Sequence, residues 1–232
     1  MISINQIINT YNKIKKLANK ALKNHEFEQA LRHIEAAASL AYNFNFIYSD
    51  KDLENSLSLI SEKIIISQNF KPIENRVVFF DSFVLDNRGL TQQYIRSLIV
   101  QEKEILFIND GDSLLNGQLI IKELLKYNKC EIFQVSTSLS RIEKINLIYN
   151  KVFEFKPKQV LLHLSPTNVI APVVFSALTS SSRFLINLTD HAFWLGTCCI
   201  DYCLEFRDYG YTISLQKRKI NSEKLLYQPY YP

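Results

Sequence analysis

Glycine and proline are scarce and unevenly placed: five and six in 232 residues, with no glycine before Gly89 and no proline before Pro72. Residues 1–71 therefore lack both helix breakers, which argues against a strand-and-turn architecture there and for uninterrupted helices. A dinucleotide fingerprint is missing too. The loop Asp86-Asn-Arg-Gly-Leu-Thr91 has one glycine where GxGxxG needs three. No Walker loop, GxSxG elbow or HExxH occurs, so dinucleotide hydride transfer, P-loop NTP hydrolysis and serine hydrolysis drop out.

The four cysteines, Cys130, Cys198, Cys199 and Cys203, lack CxxC spacing and a nearby His pair. The expectation is small buried thiols in a reducing compartment and no metal site. Apolar runs stay well short of the roughly 20 residues that span a bilayer. The chain has no charged-then-apolar leader, so a cytoplasmic protein is expected, at most peripheral at the inner membrane surface. Charge is mild at +4, and its densest basic block is Gln216-Lys-Arg-Lys219. Aromatics are interleaved with apolar runs rather than with these charges, which argues against a nucleic-acid partner.

What is present has two periods. Ile4 to Leu22, Glu26 to Tyr42 and Leu53 to Ile66 carry apolar residues at helical spacing. The small and large residues over Ile14, Leu17, Ala18, Ala21, Phe27, Ala30, Ile34 and Ala37 resemble one tetratricopeptide unit, with a plain helical hairpin as the alternative. Either way residues 1–71 read as a helical appendage offering a surface to a protein partner. From Arg76 onward, short apolar runs rich in β-formers alternate with helical stretches: 76–80, 104–108, 131–135, 159–164, 184–188, 201–206 and 225–228 as strands, 90–100, 114–127, 140–152 and 168–178 as helices. Ser140-Arg-Ile-Glu143 is a capping-box start. The fold class predicted for residues 72–232 is α/β, a Rossmann-like parallel sheet flanked by helices.

Polar residues fall after successive strands: Asp81-Ser82, Asn109-Asp110, Ser136, Ser165, Asp190-His191 and Arg207-Asp208. In an open parallel sheet those positions border one crevice. His191 is the candidate general base, because imidazole titrates near neutral pH, with Asp190 orienting it or capping a helix. Trp194 offers a stacking wall for a sugar or a core side chain. Gly196 and Thr197 offer a close backbone approach or a helix start. Gly89, with Asn87 and Arg88, offers phosphate- or hydroxyl-binding donors at a helix N-terminus or merely eases a turn. His163, inside a strand, reads as a hydrogen-bonded core residue.

The runs Val160-Leu-Leu-His-Leu164, Phe175-Ser-Ala-Leu178, Trp194-Leu-Gly-Thr197, Asp201-Tyr202, Glu223-Lys-Leu-Leu226 and Pro229-Tyr-Tyr-Pro232 resemble the N-terminal half of GT-B glycosyltransferases. The nearest likeness is to O-linked N-acetylglucosamine transferase-like and related bacterial sugar transferases, which also carry tetratricopeptide repeats. The resemblance implies an acceptor-side domain for a glycan or protein, with the nucleotide-sugar co-substrate bound by a C-terminal donor domain. It implies metal-independent catalysis, and it puts Gly196, Thr197 and Asp201 at the cleft. The family's Gly-Tyr-Pro-Gly-Thr form is shortened here to Leu195-Gly-Thr197. The expectation is a chain that lacks its donor domain and is inactive alone. The alternative is a non-catalytic interaction module using the helical hairpin.

Overall fold

The computed structural model describes residues 3–84, 89–111 and 118–228. Three helices open the chain: α1 (Ile4–Lys23), α2 (Phe27–Phe44) and α3 (Lys51–Ile64). Local chemistry sets their ends. Ser3 and Gln6 form a capping box at the start of α1, where each side chain satisfies the other's backbone N–H. Asp50 caps α3 by accepting from the N–H groups of Asp52 and Leu53. Asn45 closes α2 in the left-handed conformation, which asparagine tolerates better than most residues. The buried face of α2 carries Ala30, Ala37, Ala38 and Ala41 beside Leu31 and Ile34, and its small side chains let α1 lie close.

Seven parallel strands follow: β1 (Ile73–Asp81), β2 (Glu104–Asn109), β3 (Cys130–Gln134), β4 (Pro157–His163), β5 (Ser182–Ile186), β6 (Tyr202–Glu205) and β7 (Leu225–Tyr227). Their order across the sheet is β3-β2-β1-β4-β5-β6-β7. Between them run α4 (Leu90–Val100), α5 (Gln118–Lys126), α6 (Arg141–Phe155), α7 (Ile170–Ser176) and α8 (Asp208–Gln216). The capping box of Ser140 and Glu143 starts α6 as the sequence predicts. The start expected for α5 at Leu114 lies outside the described residues. Helix α8 was not anticipated, because Gly210 and Thr212 sit in a stretch without a clear apolar stripe.

Alternation along the strands divides the apolar side chains between two faces. Val77, Phe79, Ile105 and Phe107 pack with Leu90, Ile95 and Leu98 of α4 and Ile120 and Leu124 of α5. Val78, Phe80, Leu106, Ile108, Val160 and Leu162 face α6 and α7, and the same core continues through Leu31, Ile34, Leu57 and Ile60 of α2 and α3. The opening helices are thus a further layer on one face of the sheet, not a free appendage. Hydrogen bonds tie the layer down: Ser61 Oγ donates to the Val173 carbonyl at 2.7 Å, and Arg141 bonds Glu28 and Glu35. Among the described residues, no helix is long and apolar enough to cross a membrane.

Candidate functional site

The sheet winds outward in both directions from the β1–β4 pair, so its switch point lies there. Register places Asp81, the last residue of β1, opposite His163, the last of β4. The Asp81 carboxylate is fully buried and fully engaged. Its Oδ1 accepts the N–H groups of Phe83 and Val84 and stands 3.0 Å from His163 Nδ1, while Oδ2 accepts the Thr91 hydroxyl at 2.6 Å. Burial works to raise the Asp81 pKa. The His163 ring and the hydrogen bonds from His163, Thr91 and Val84 outweigh it and hold the carboxyl below its ordinary value. The second ring nitrogen of His163, Nε2, is buried without a hydrogen-bond partner among the described residues.

Beside this pair opens a pocket of about 350 Å³. Ser82, Ser165, Thr167, Asp110 and Asn168, from the loops after β1, β2 and β4, line it, with Lys144 and Arg141 of α6 and Glu35 of α2 on its remaining walls. Asn168 organises the floor. Its Nδ2 donates to Ser82 Oγ at 3.0 Å and to Asp110 Oδ2 at 2.7 Å, while its Oδ1 accepts the first N–H groups of α7. Burial raises the Asp110 pKa, and the Asn168 hydrogen bond and Lys144 charge offset this only in part. The arrangement sets hydroxyls, an amide, a carboxyl and cationic side chains around a volume suited to a small polyhydroxy group.

The predicted site residues are dispersed. Asp190 and His191 do follow β5, but both Asp190 oxygens are taken by Arg207, at 2.6 and 2.8 Å. Asp190 therefore caps no helix. His191 is largely exposed, with Nδ1 3.5 Å from Asp190 Oδ1, a weak approach to an already engaged carboxylate. From Leu195, whose N–H donates to the Pro166 carbonyl, the chain runs to Asp201, whose N–H meets Arg183 near the start of β5. It thus passes from the carboxyl to the amino end of the sheet.

For Trp194, Gly196 and Thr197 the structure takes the packing and helix-start alternatives, and Asp201 lies away from the crevice. Trp194 is 3% exposed within the core, so its ring faces offer no stacking wall. The Gly196 N–H is spent on Glu54 Oε1 at 2.9 Å, and Thr197 opens a short 3-10 turn against α3 and α7. Asp201 stands at the amino end of β6 in a bidentate pair with Arg183 (3.0 and 2.8 Å). Among the described residues, none of 190–201 lines the switch-point pocket. Gly89 adopts φ +64° as N-cap of α4, which a glycine accommodates without strain. Asn87 and Arg88 lie outside the described residues.

Sequence reasoning placed Asp81, Ser82, Asp110 and Ser165 at the crevice edge and His163 as a hydrogen-bonded core residue, which it is, but did not pair it with Asp81. The available signal was the register itself, an acid and an imidazole each closing an apolar run. The four cysteines are free, and burial pushes the Cys130 thiol up to about 12. Among the described residues no cluster of His, Cys, Asp and Glu is arranged to hold a metal ion.

No family model matches the chain, and no curated protein sequence matches it. Two solved structures are similar to it in layout. One is a glycosyltransferase from Rickettsia africae ESF-5, 13% identical, with a TM-score of 0.46 over 67% of this chain and 43% of that one. The other is a mutant O-GlcNAc transferase from Thermobaculum terrenum, 9% identical, with a TM-score of 0.47 over 94% of this chain and 44% of that one. The chain spans less than half the length of either.

Proposed function

We propose that this chain is the acceptor-side half of a nucleotide-sugar-dependent hexosyltransferase. The observation that carries the reading is the pocket at the switch point, where Ser82, Ser165, Thr167 and Asn168 surround the Asp110 carboxyl. Hydroxyl and amide groups flanking a buried carboxyl are the chemistry that recognises a hydroxyl-rich acceptor, whether a glycan or a serine or threonine side chain of a protein. In this reading the residues of this chain bind the acceptor, and the nucleotide sugar is bound by a separate donor domain.

In this reading the acceptor oxygen attacks the anomeric carbon. The bond from that carbon to the nucleoside diphosphate breaks, the diphosphate leaves with the electron pair, and the acceptor proton passes to a protein base. Asp110 is the base that the pocket offers, because burial raises its pKa above the ordinary carboxylate value and makes it a stronger base. His191, at the same end of the sheet but outside the pocket, is the alternative base.

Saturation-transfer NMR with a panel of mono- and disaccharides tests the binding half of the proposal. Binding by the intact chain that is lost in Asn168→Ala supports it, and absence of saccharide binding at millimolar concentrations removes it. Transfer is measured from a nucleotide sugar with the full-length protein. There Asp110→Asn at background rate with His191→Ala at full rate assigns the base to Asp110, and the reverse pattern assigns it to His191.

A further inference from the structure

A second pocket, about 520 Å³ in volume, lies away from the crevice, between the start of α3 and the segment joining α8 to β7. Three lysines line it: Lys51 from the first turn of α3, and Lys219 and Lys224 from the joining segment. All three are exposed, and none has a carboxylate partner among the ion pairs of the described residues.

The fourth cation is Arg218, which is 5% exposed. One of its Nη groups donates to the carbonyls of Thr189, Asp190 and Ala192, the other to Ser214 Oγ, and the guanidinium lies over the rings of Tyr48 and Trp194. Its Nε–H is buried without an acceptor among the described residues. The nearby Glu205 and Asp190 carboxylates offset part of the cost of burying its charge, while the unmet Nε–H donor remains. The one acidic side chain in the lining, Glu54, is already engaged by two backbone N–H groups. The basic block Lys217-Arg218-Lys219 is thus divided, with Arg218 turned into the wall and Lys219 left at the rim in the left-handed conformation. Ile200 and Ile220 add apolar wall.

We propose that this pocket binds a phosphate-bearing small molecule. Its phosphate meets Lys51, Lys219 and Lys224, and its organic part lies against Ile200 and Ile220. Behind the lining, Asp201 acts on Lys224, and Glu205 and Asp190 act on Arg218, but the lining itself sets four cationic side chains against the engaged Glu54 carboxylate, which selects an anion. The volume exceeds what a lone phosphate fills, which selects a phosphate ester or a diphosphate over orthophosphate. The site stands independently of the transferase reading, because it shares no lining residue with the crevice.

The test is calorimetric titration of the whole chain with inorganic pyrophosphate and with a sugar phosphate, at two salt concentrations. We expect binding that weakens with salt, that falls at least tenfold in the Lys219→Ala/Lys224→Ala double variant, and that is unchanged in Lys144→Ala at the crevice. Both rim lysines are exposed, so the double variant folds, and its far-UV circular dichroism checks this. Absence of binding to either probe overturns the proposal. So does binding that persists in the double variant, or binding that is lost in Lys144→Ala instead.

Discussion

The Glu54 carboxylate of α3 accepts the backbone N–H groups of Gly196 and Cys198, each at 2.9 Å. One side chain of the helical layer thereby holds the strand-to-strand connection that runs along the sheet some 142 residues later. Glu54→Gln keeps the shape but turns an N–H₂ toward one of the two donors, and Glu54→Ala leaves both unmet. The expected loss is about 2–3 kcal/mol for either change, from hydrogen bonds to a charged acceptor. Urea unfolding followed by Trp194 fluorescence measures it, and a loss under about 0.5 kcal/mol would show that the carboxylate holds nothing in place.

Gly210→Ala opposes two effects of different sign. In an exposed helix the change stabilises by about 1 kcal/mol. Here a Cβ would stand 2.5 Å from Glu205 Oε2 and 3.0 Å from Asp190. Glu205 is wholly buried, and Asn187 at 2.8 Å and Ser214 hold its Oε1, so turning Oε2 away strains those bonds. Overpacking of this kind costs about 1–3 kcal/mol, which outweighs the helical gain. A lower melting temperature is expected, and a rise would mean that Glu205 moves freely.

Two buried carboxyls near the switch point carry opposite pH signatures. Asp81 is held below its ordinary pKa of 3.8, so its contribution to stability is present above that value and is lost as pH falls through its folded-state pKa. Asp110 is raised above the same ordinary value, so its ionisation costs stability as pH climbs from 3.8 through its folded-state pKa. Asp81→Asn should therefore flatten the acid limb of a stability-against-pH curve, whereas Asp110→Asn should leave the chain at least as stable at pH 7. Chemical denaturation at a series of pH values checks both, and an Asp110→Asn variant less stable at neutral pH would contradict the assignment.

The opening helices and the sheet share one core, and that has a cooperative consequence. Leu57 of α3 is wholly buried, and Leu57→Ala should cost about 2–5 kcal/mol through lost transfer and a residual cavity. Thermal unfolding should show coincident midpoints by circular dichroism and by Trp194 fluorescence. Trp194 in the native chain should resist acrylamide quenching, given its 3% exposure. Separate transitions for helix content and for the tryptophan would break the shared-core account.

Local pattern made most of the secondary structure legible. The absence of glycine and proline before residue 72, and the change from helical to strand period at Arg76, place three helices and seven strands. Ser140 and Glu143 mark a helix start because capping is decided within four residues. Helix α8 escaped because its stripe is weak, and its buried positions, Gly210 and Ser214, are small or polar.

The sequence by itself determined the parallel α/β class and which residues close each strand, because both follow from periods and breakers that act over a few residues. Only the tertiary structure decided how those residues are used. Asp190 and Arg207 are 17 residues apart, Glu54 and Gly196 are 142, and Asp81 meets His163 only once β4 lies beside β1. Each partner is chosen by strand register and layer packing, which no short window contains. For that reason the stretch richest in reactive side chains, 190–197, became one ion pair and a packed core segment, while the accessible polar pocket formed where the winding of the sheet reverses.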